Sequence, residues 1–358
     1  MSKINASFDD VSQLGELEGN HLLLHRKVLG FDIKLSRAQH SWRGQKRRRV
    51  AVVLFHEKDV WGRRAAKGLL SSICNALTPE PFPEFDIFSA DANSQFLQEE
   101  VCKNIEARQD EYAFVATIGS WVSKQVHLYA TTNNWTVPRL FVGVHDPVES
   151  TLVPGLEMGS SQVVGVAEAP KDFGHQVALL KVLRPELKTI LIPFDPSFRY
   201  DGFDKDKRRL NYHLEQNGIA VREVAVMLHG DITEQLQHHL RGVDMIWVLS
   251  DPATRIQIKK LVSLCKQEGI TLMTSELASL FQGAALGFGD SGSRTGAFAG
   301  QLGFALLTGQ RTPNELPVVI AQHPKVLRVN PNAYEQQGVE LGKAQRALLQ
   351  EVIPLGWE

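Results

Sequence analysis

Residues 286–307 read LGFGDSGSRTGAFAGQLGFALL: a short apolar strand, a glycine turn, and a helix built largely from Gly, Ala and Leu. Gly309 then fits the left-handed residue that commonly ends a helix, and Val318–Ile320 and Val326–Val329 read as two short strands. A small-residue helix placed after a second run of strands and helices can fold back onto the first. The segment therefore predicts a two-lobed, hinged chain.

Working outward, strand and helix patterns alternate twice. Apolar runs at 50–55, 85–89, 112–118 and 139–142 read as strands, separated by helical patterns at 60–77, 94–107 and 122–131. A strand at 163–167 leads into a helix at 173–183. Strands at 189–194, 220–226, 245–249 and 271–273 then alternate with helices at 204–216, 233–240 and 253–267. Strands alternating with helices of ten or more residues mean βαβ units and parallel sheets covered on both faces. The expected fold is α/β, with two Rossmann-like lobes. Residues 1–49 form an N-terminal extension ending in Lys46-Arg47-Arg48-Arg49, lobe one takes 50–165 plus 290–316, and lobe two takes 166–289 plus 317–345.

Length and charge agree with this division. A chain of 358 residues suits two domains of about 150 residues each. Lys+Arg 39 against Asp+Glu 40 leaves a net charge of −1, which argues against a surface devoted to nucleic acid. No apolar run approaches the roughly 18 residues of a membrane span. The first 20 residues read as polar, without a signal-peptide apolar segment, so the chain as written reads as cytoplasmic.

Chemical motifs are sparse. Gly287, Gly289 and Gly292 satisfy the G-x-G-x-x-G spacing between a predicted strand and a predicted helix. A dinucleotide site also needs a following strand that ends in an acid about 20 residues on, and here the strand at 317–320 runs into Ala321-Gln322. The glycines are read instead as a tight strand-to-helix turn. Gly289-Asp290-Ser291-Gly292 also matches the tetrapeptide around the serine of trypsin-like proteases, but those are all-β. The three cysteines, Cys74, Cys102 and Cys265, fall in predicted helices without C-x-x-C spacing and read as buried thiols. His238 and His239 are helix neighbours that point in different directions. No metal, cofactor or catalytic set is expected.

In open parallel sheets, ligands sit beyond the carboxyl ends of the strands, where helix N-termini present N–H groups. The loops at 55–59, 117–121 and 144–147, with 194–200, 250–255 and 274–276, are therefore the candidate cleft loops. Phe55, Trp121, Phe194 and Tyr200 stand at or just after strand ends, where each is suited to stacking on a planar ligand. His56 and His145 stand at strand ends facing the cleft. Asp146, Ser197 and Glu276 complete the candidate set in these loops.

In order along the chain come Thr117-Ile118-Gly119-Ser120, Val144-His145-Asp146-Pro147-Val148, Gly165-Val166-Ala167, Phe194-Asp195-Pro196-Ser197, Leu249-Ser250-Asp251-Pro252, residues 283–289 and Gly309-Gln310-Arg311-Thr312-Pro313. With these pieces, residues 49–341 resemble ABC-transporter solute-binding proteins of the periplasmic-binding-protein type I fold, in particular the subgroup associated with tryptophan or tyrosine uptake. The resemblance implies a non-catalytic binder that closes on a small solute and hands it to a permease, at the cell envelope. It also implies that Thr117 and Ser120 hold a ligand carboxylate and that Asp195 or Asp251 pairs with an α-ammonium. Two other readings stay open. One is a cytosolic ligand-sensing regulator of the LacI-like two-lobed type, although 13–24 lacks the short turn of a helix-turn-helix. The other is an enzyme using the glycine turn at 287–292 for a nucleotide.

Overall fold

Two six-stranded sheets organise the chain, with strand orders β11-β5-β4-β3-β1-β2 and β12-β10-β9-β8-β6-β7. The computed structural model describes residues 49–77, 83–198, 202–322, 327–339 and 342–343. Residues 1–48 of the N-terminal extension and Tyr200 lie outside the described residues, and Arg49, placed in that extension by the sequence reading, opens the first strand. The first unit groups residues up to Glu57, Gly62–Ala167 and Ser293–Ile320. The second groups Lys58–Trp61, Glu168–Gly292 and the chain from Ala321.

The first half of the chain runs β1 (Arg49–Leu54), α1 (Val60–Leu77), β2 (Glu84–Ser89), α2 (Ser94–Phe96), α3 (Lys103–Ala107), β3 (Tyr112–Ile118), α4 (Ser120–Thr132), β4 (Arg139–Val144) and β5 (Val163–Glu168). The second half begins α5 (Phe173–Leu183), β6 (Thr189–Phe194), α6 (Phe203–Gln216), β7 (Ala220–Ala225), α7 (Ile232–Gln237), β8 (Met245–Val248), α8 (Pro252–Arg255), α9 (Ile258–Glu268), β9 (Thr271–Glu276) and β10 (Leu286–Asp290). Then come α10 (Gly292–Leu307), β11 (Val319–Ala321), β12 (Leu327–Val329) and α11 (Pro331–Gln336). β1 to β5 pair in parallel, as do β6 to β10, and β12 runs antiparallel to β10.

The strands read as unbroken apolar runs because both faces of each sheet are covered. In the second sheet Ile190, Ile192 and Trp247 pack with Phe173, Val177 and Leu180 of α5, Leu210 of α6 and Tyr334 of α11. The alternate residues Leu191, Ile246 and Val248 pack with Ile232 and Leu236 of α7 and with Leu261 and Cys265 of α9. Trp247 is a core residue, and its indole Nε1 donates to Ser275 Oγ at 3.0 Å.

α10 belongs with the first unit, apart from the second-unit strand that precedes it. Its glycines lie against α1: a Cβ at Gly296 would stand 1.9 Å from the Ala65 carbonyl oxygen, and one at Gly300 would stand 2.4 Å from Ser72 Cβ. From the other helix, a Cβ at Gly68 would stand 2.0 Å from the Ser293 carbonyl oxygen. The two helices therefore meet backbone to backbone, which only glycine at these positions permits.

Three sequence expectations are corrected. The helix expected over 94–107 is interrupted by a π-helical stretch, Leu97–Cys102, where Lys103 N–H reaches Gln98 O. This wide turn buries Val101 and Cys102 together with Leu97. The helix expected over 253–267 breaks into α8 and α9. The strand expected near 318–320 was given to lobe two, whereas β11 pairs beside β5 in the first sheet.

Cys102 and Cys265 are buried and Cys74 is half-buried, which corrects the reading of three buried thiols. Burial pushes Cys74 up to about 11 and Cys265 to about 12, while burial and then the Glu106 charge take Cys102 to about 12. A thiol reagent at pH 8 is expected to label the native protein slowly and all three sites promptly in guanidinium. Rapid stoichiometric labelling of the native protein would contradict this packing.

Candidate functional site

In the first unit the carboxyl end of β3 passes through Gly119 into α4. Gly119 has φ 86, and a Cβ added there would meet nothing within 4 Å, so the backbone conformation rather than crowding requires glycine. The first turn of a helix presents backbone amides that the helix itself does not use, and the macrodipole makes the start of α4 favourable to negative charge. Ser120 Oγ accepts from His145 N–H at 3.0 Å, tying the loop after β4 to the helix start. The Phe55 ring, just after β1, stands edge-on to Trp121 at 5.4 Å between centroids. His56 Nε2 lies 3.2 Å from Asp91 Oδ1. Asp91 and the following Ala92 both hold positive φ, 50 and 52, a strained turn fastened by Ala92 N–H to Phe55 O at 2.9 Å. Phe55, His56, Ser120, Trp121 and His145 are thus brought together around the start of α4.

Thr117 and Asp146 take other roles. Thr117 is 3% exposed, and its hydroxyl pairs with Ser123 Oγ at 2.9 Å, so it joins β3 to α4 instead of facing a ligand. Asp146 Oδ1 accepts from the amides of Val148 and Glu149 at 3.2 and 2.9 Å and organises its own turn.

The second unit corrects the expected ammonium partners. Asp195 Oδ1 accepts from Ser197 N–H at 2.8 Å and Oδ2 from Leu228 N–H at 2.7 Å, while the Asp195 amide donates to Asp251 Oδ2 at 2.8 Å. Asp251 Oδ1 in turn caps α8 through Ala253 N–H at 2.9 Å. Each carboxylate is committed to backbone amides of the loops after β6, β7 and β8. Complete burial pushes Asp251 up to about 6, against the pull of the Asp195 and Ala253 amides. Phe194 packs on Phe203 at 5.6 Å, with Lys207 Nζ 4.9 Å from its ring centroid. Ser197 enters through its amide.

Glu276 ends β9 and caps the short 3-10 helix Ala278–Gln282 through the amides of Ala278 and Ser279 and the Ser279 hydroxyl. Burial raises its pKa, with Ser279 and then the Arg255 guanidinium acting against the rise and Asp59 adding to it. Beside it lies a pair absent from the sequence candidates. Arg255 Nη2 donates to Asp59 Oδ2 at 2.9 Å, with side chains 9% and 4% exposed, and the guanidinium stands 5.3 Å from the Trp61 ring centroid. Burial alone would lower the Arg255 pKa; the Asp59 charge, with Glu276, more than offsets it. Two atoms of this pair, Asp59 Oδ1 and Arg255 Nε, are buried without a hydrogen-bond partner. The available signal was opposite charge in two strand-to-helix loops, one ending at Asp59 and the other at Arg255.

Among the described residues, no group of three or more His, Cys, Asp or Glu is placed to hold a metal ion. No helix among them is long and apolar enough to cross a membrane. The glycine turn has a packing cause: Gly289 holds φ 137, and its Cβ would stand 2.2 Å from the Ser275 carbonyl oxygen.

The two sheets carry polar loops at the carboxyl ends of their parallel strands. The family model described as ABC transporter substrate binding protein matches residues 51–352, and the chain belongs to that family. A curated relative, a tyrosine-binding protein of Clostridioides difficile strain R20291, is 22% identical over 191 residues, which is 53% of this chain and 54% of that protein. The chain thus spans about half the length of that curated relative. The fold is also that of the ABC domain from Streptococcus pneumonia solved in complex with L-Trp, with a TM-score of 0.73, 18% identity and coverage of 84% of this chain and 98% of that one. A conserved domain protein from Vibrio cholerae O1 biovar El Tor strain N16961 aligns with a TM-score of 0.71, 22% identity and coverage of 85% and 98%. The family and the curated relative are binding proteins, not enzymes.

Proposed function

We propose that the chain captures a free aromatic α-amino acid and presents it to the permease of an ABC transporter, performing no chemical step. The observation that carries this reading is the start of α4, where Ser120 and the helix amides lie beside the Phe55–Trp121 ring pair. Such a rim suits an anionic group next to a flat apolar one. The tyrosine-binding relative and the tryptophan-bound structure support the ligand class. The energies suffice: two charge-assisted hydrogen bonds at ~1.5–3 kcal/mol each, with ring burial less ordering costs, reach the roughly −8 kcal/mol of micromolar binding.

Titration calorimetry with L-tryptophan, L-tyrosine, other amino acids and simple sugars tests it. The expected result is roughly micromolar binding of an aromatic amino acid and none of a sugar. No heat from any amino acid at millimolar concentration would remove the reading.

A further inference from the structure

Arg139 opens β4 as a buried residue, 5% exposed, whose charge nothing among the described residues balances. Its Nη2 donates to Gln162 Oε1 at 3.0 Å, while Nε and Nη1 are buried without a hydrogen-bond partner. Burial takes its pKa down to about 10, and no neighbouring charge acts against the fall, so the group stays cationic at neutral pH. A buried charge without a counter-charge is costly, and native proteins pair such groups. His127 of α4 stands near enough that the Arg139 charge, after burial, holds the imidazole below its usual value, and its Nδ1 is also buried without a partner.

The second unit meets the same situation differently. Its sheet repeats the strand order of the first, so β9 holds the place there that β4 holds here. Thr271, the first residue of β9, accepts at Oγ1 from Arg184 Nη1, and Arg184 Nε is paired with Glu186. That guanidinium at the foot of the fourth strand has a carboxylate from its own chain. Arg139 has only a neutral amide and a neutral imidazole.

We propose that Arg139, with Gln162 and His127 beside it, binds one small monovalent anion of the chloride type within the first unit. Gln162 orients the guanidinium through Nη2 and leaves Nε–H and Nη1–H unused, each able to make a charge-assisted hydrogen bond to such an ion. One guanidinium supplies a single positive charge, which a monovalent anion balances and a divalent sulfate or phosphate would exceed. The place is separate from the start of α4, because Arg139 and His145 stand at opposite ends of β4, about 20 Å apart along the strand. The site is therefore independent of which solute the protein carries.

Thermal unfolding of the full chain at constant ionic strength, with sodium chloride replacing sodium gluconate, whose anion is much larger, tests the site. The melting temperature of wild type is expected to rise by at least about 3 °C once chloride exceeds its dissociation constant about tenfold. Arg139→Gln is expected to lose that rise, and Arg241→Gln, at an exposed position, to keep it. A wild-type melting temperature that does not respond to chloride, a rise of equal size in Arg139→Gln, or loss of the rise in both variants overturns the proposal. Should Arg139→Gln not fold, a wild-type crystal grown in sodium bromide decides by anomalous scattering. A bromide against Arg139 Nε or Nη1 supports the site, and water at both atoms overturns it.

Discussion

Gly296→Val is expected to destabilise the first unit by at least ~3 kcal/mol, at or beyond the upper end of ordinary overpacking, and to lower the melting temperature by roughly 6–12 °C. The reason is geometric. The new Cβ would stand 1.9 Å from the Ala65 carbonyl oxygen, and the next neighbours are also backbone atoms, Ala65 C at 2.7 Å and Leu69 N at 2.8 Å. No side-chain rotation relieves a clash with main chain, so α1 and α10 must separate. Separation would open the packing around Ile73, Phe114 and Leu140, which all face Gly303 one further step along α10. Gln301→Ala, on the exposed side of the same helix, is the control, with an expected change within about 0.5 kcal/mol. Thermal unfolding followed by circular dichroism reads both. A Gly296→Val protein that melts with wild type would show that the two helices do not meet through their backbones.

Asp195→Ala is expected to cost about 3 kcal/mol of stability, because it removes the buried carboxylate that accepts from two amides, those of Ser197 and Leu228. Its partner Asp251 adds a pH signature with a definite sign. The folded carboxyl sits at about 6 and the ordinary value is 3.8, so the folded state binds this proton more tightly than the unfolded state. That contribution is fully present below the ordinary value, declines as pH rises between the two values, and is gone above about 6; its size is roughly 3 kcal/mol at most. Asp251→Asn cannot titrate. Urea unfolding of wild type and Asp251→Asn at pH 4.5 and pH 7.5 should therefore give a larger stability difference at the lower pH, other carboxylates cancelling in the comparison. A difference that is constant, or larger at pH 7.5, would mean that Asp251 is not held protonated by burial.

Much of the architecture was legible because it depends on local periodicity. The apolar runs from Val50 and from Thr189 mark strands buried on both faces, and helical patterns such as 60–77 coincide with α1 at both ends. Less was legible at the π-helical turn, where Val101 and Cys102 are both buried although a regular helix would carry them to different faces. Nothing in Val319–Ala321 marks the sheet it joins, since an edge strand of three residues has too little pattern to choose.

The candidate residues divide in the same way. Ser120, Phe55 and Trp121 were named from their places after strands, and they stand around one helix start. Thr117, Asp195 and Asp251 were named for their chemistry, and folding turned them to internal hydrogen bonds. Asp59 and Arg255 lie 196 residues apart in sequence. No local pattern couples such positions.

The order of strands, helices and glycines by itself determined the α/β class and the two successive sheets, because both follow from local periodicity. Only tertiary structure decided which charged groups are consumed and which retain an unused atom. That outcome depends on the loop amides folded around each carboxylate, a matter of distances of about 3 Å between residues that the linear chain holds far apart.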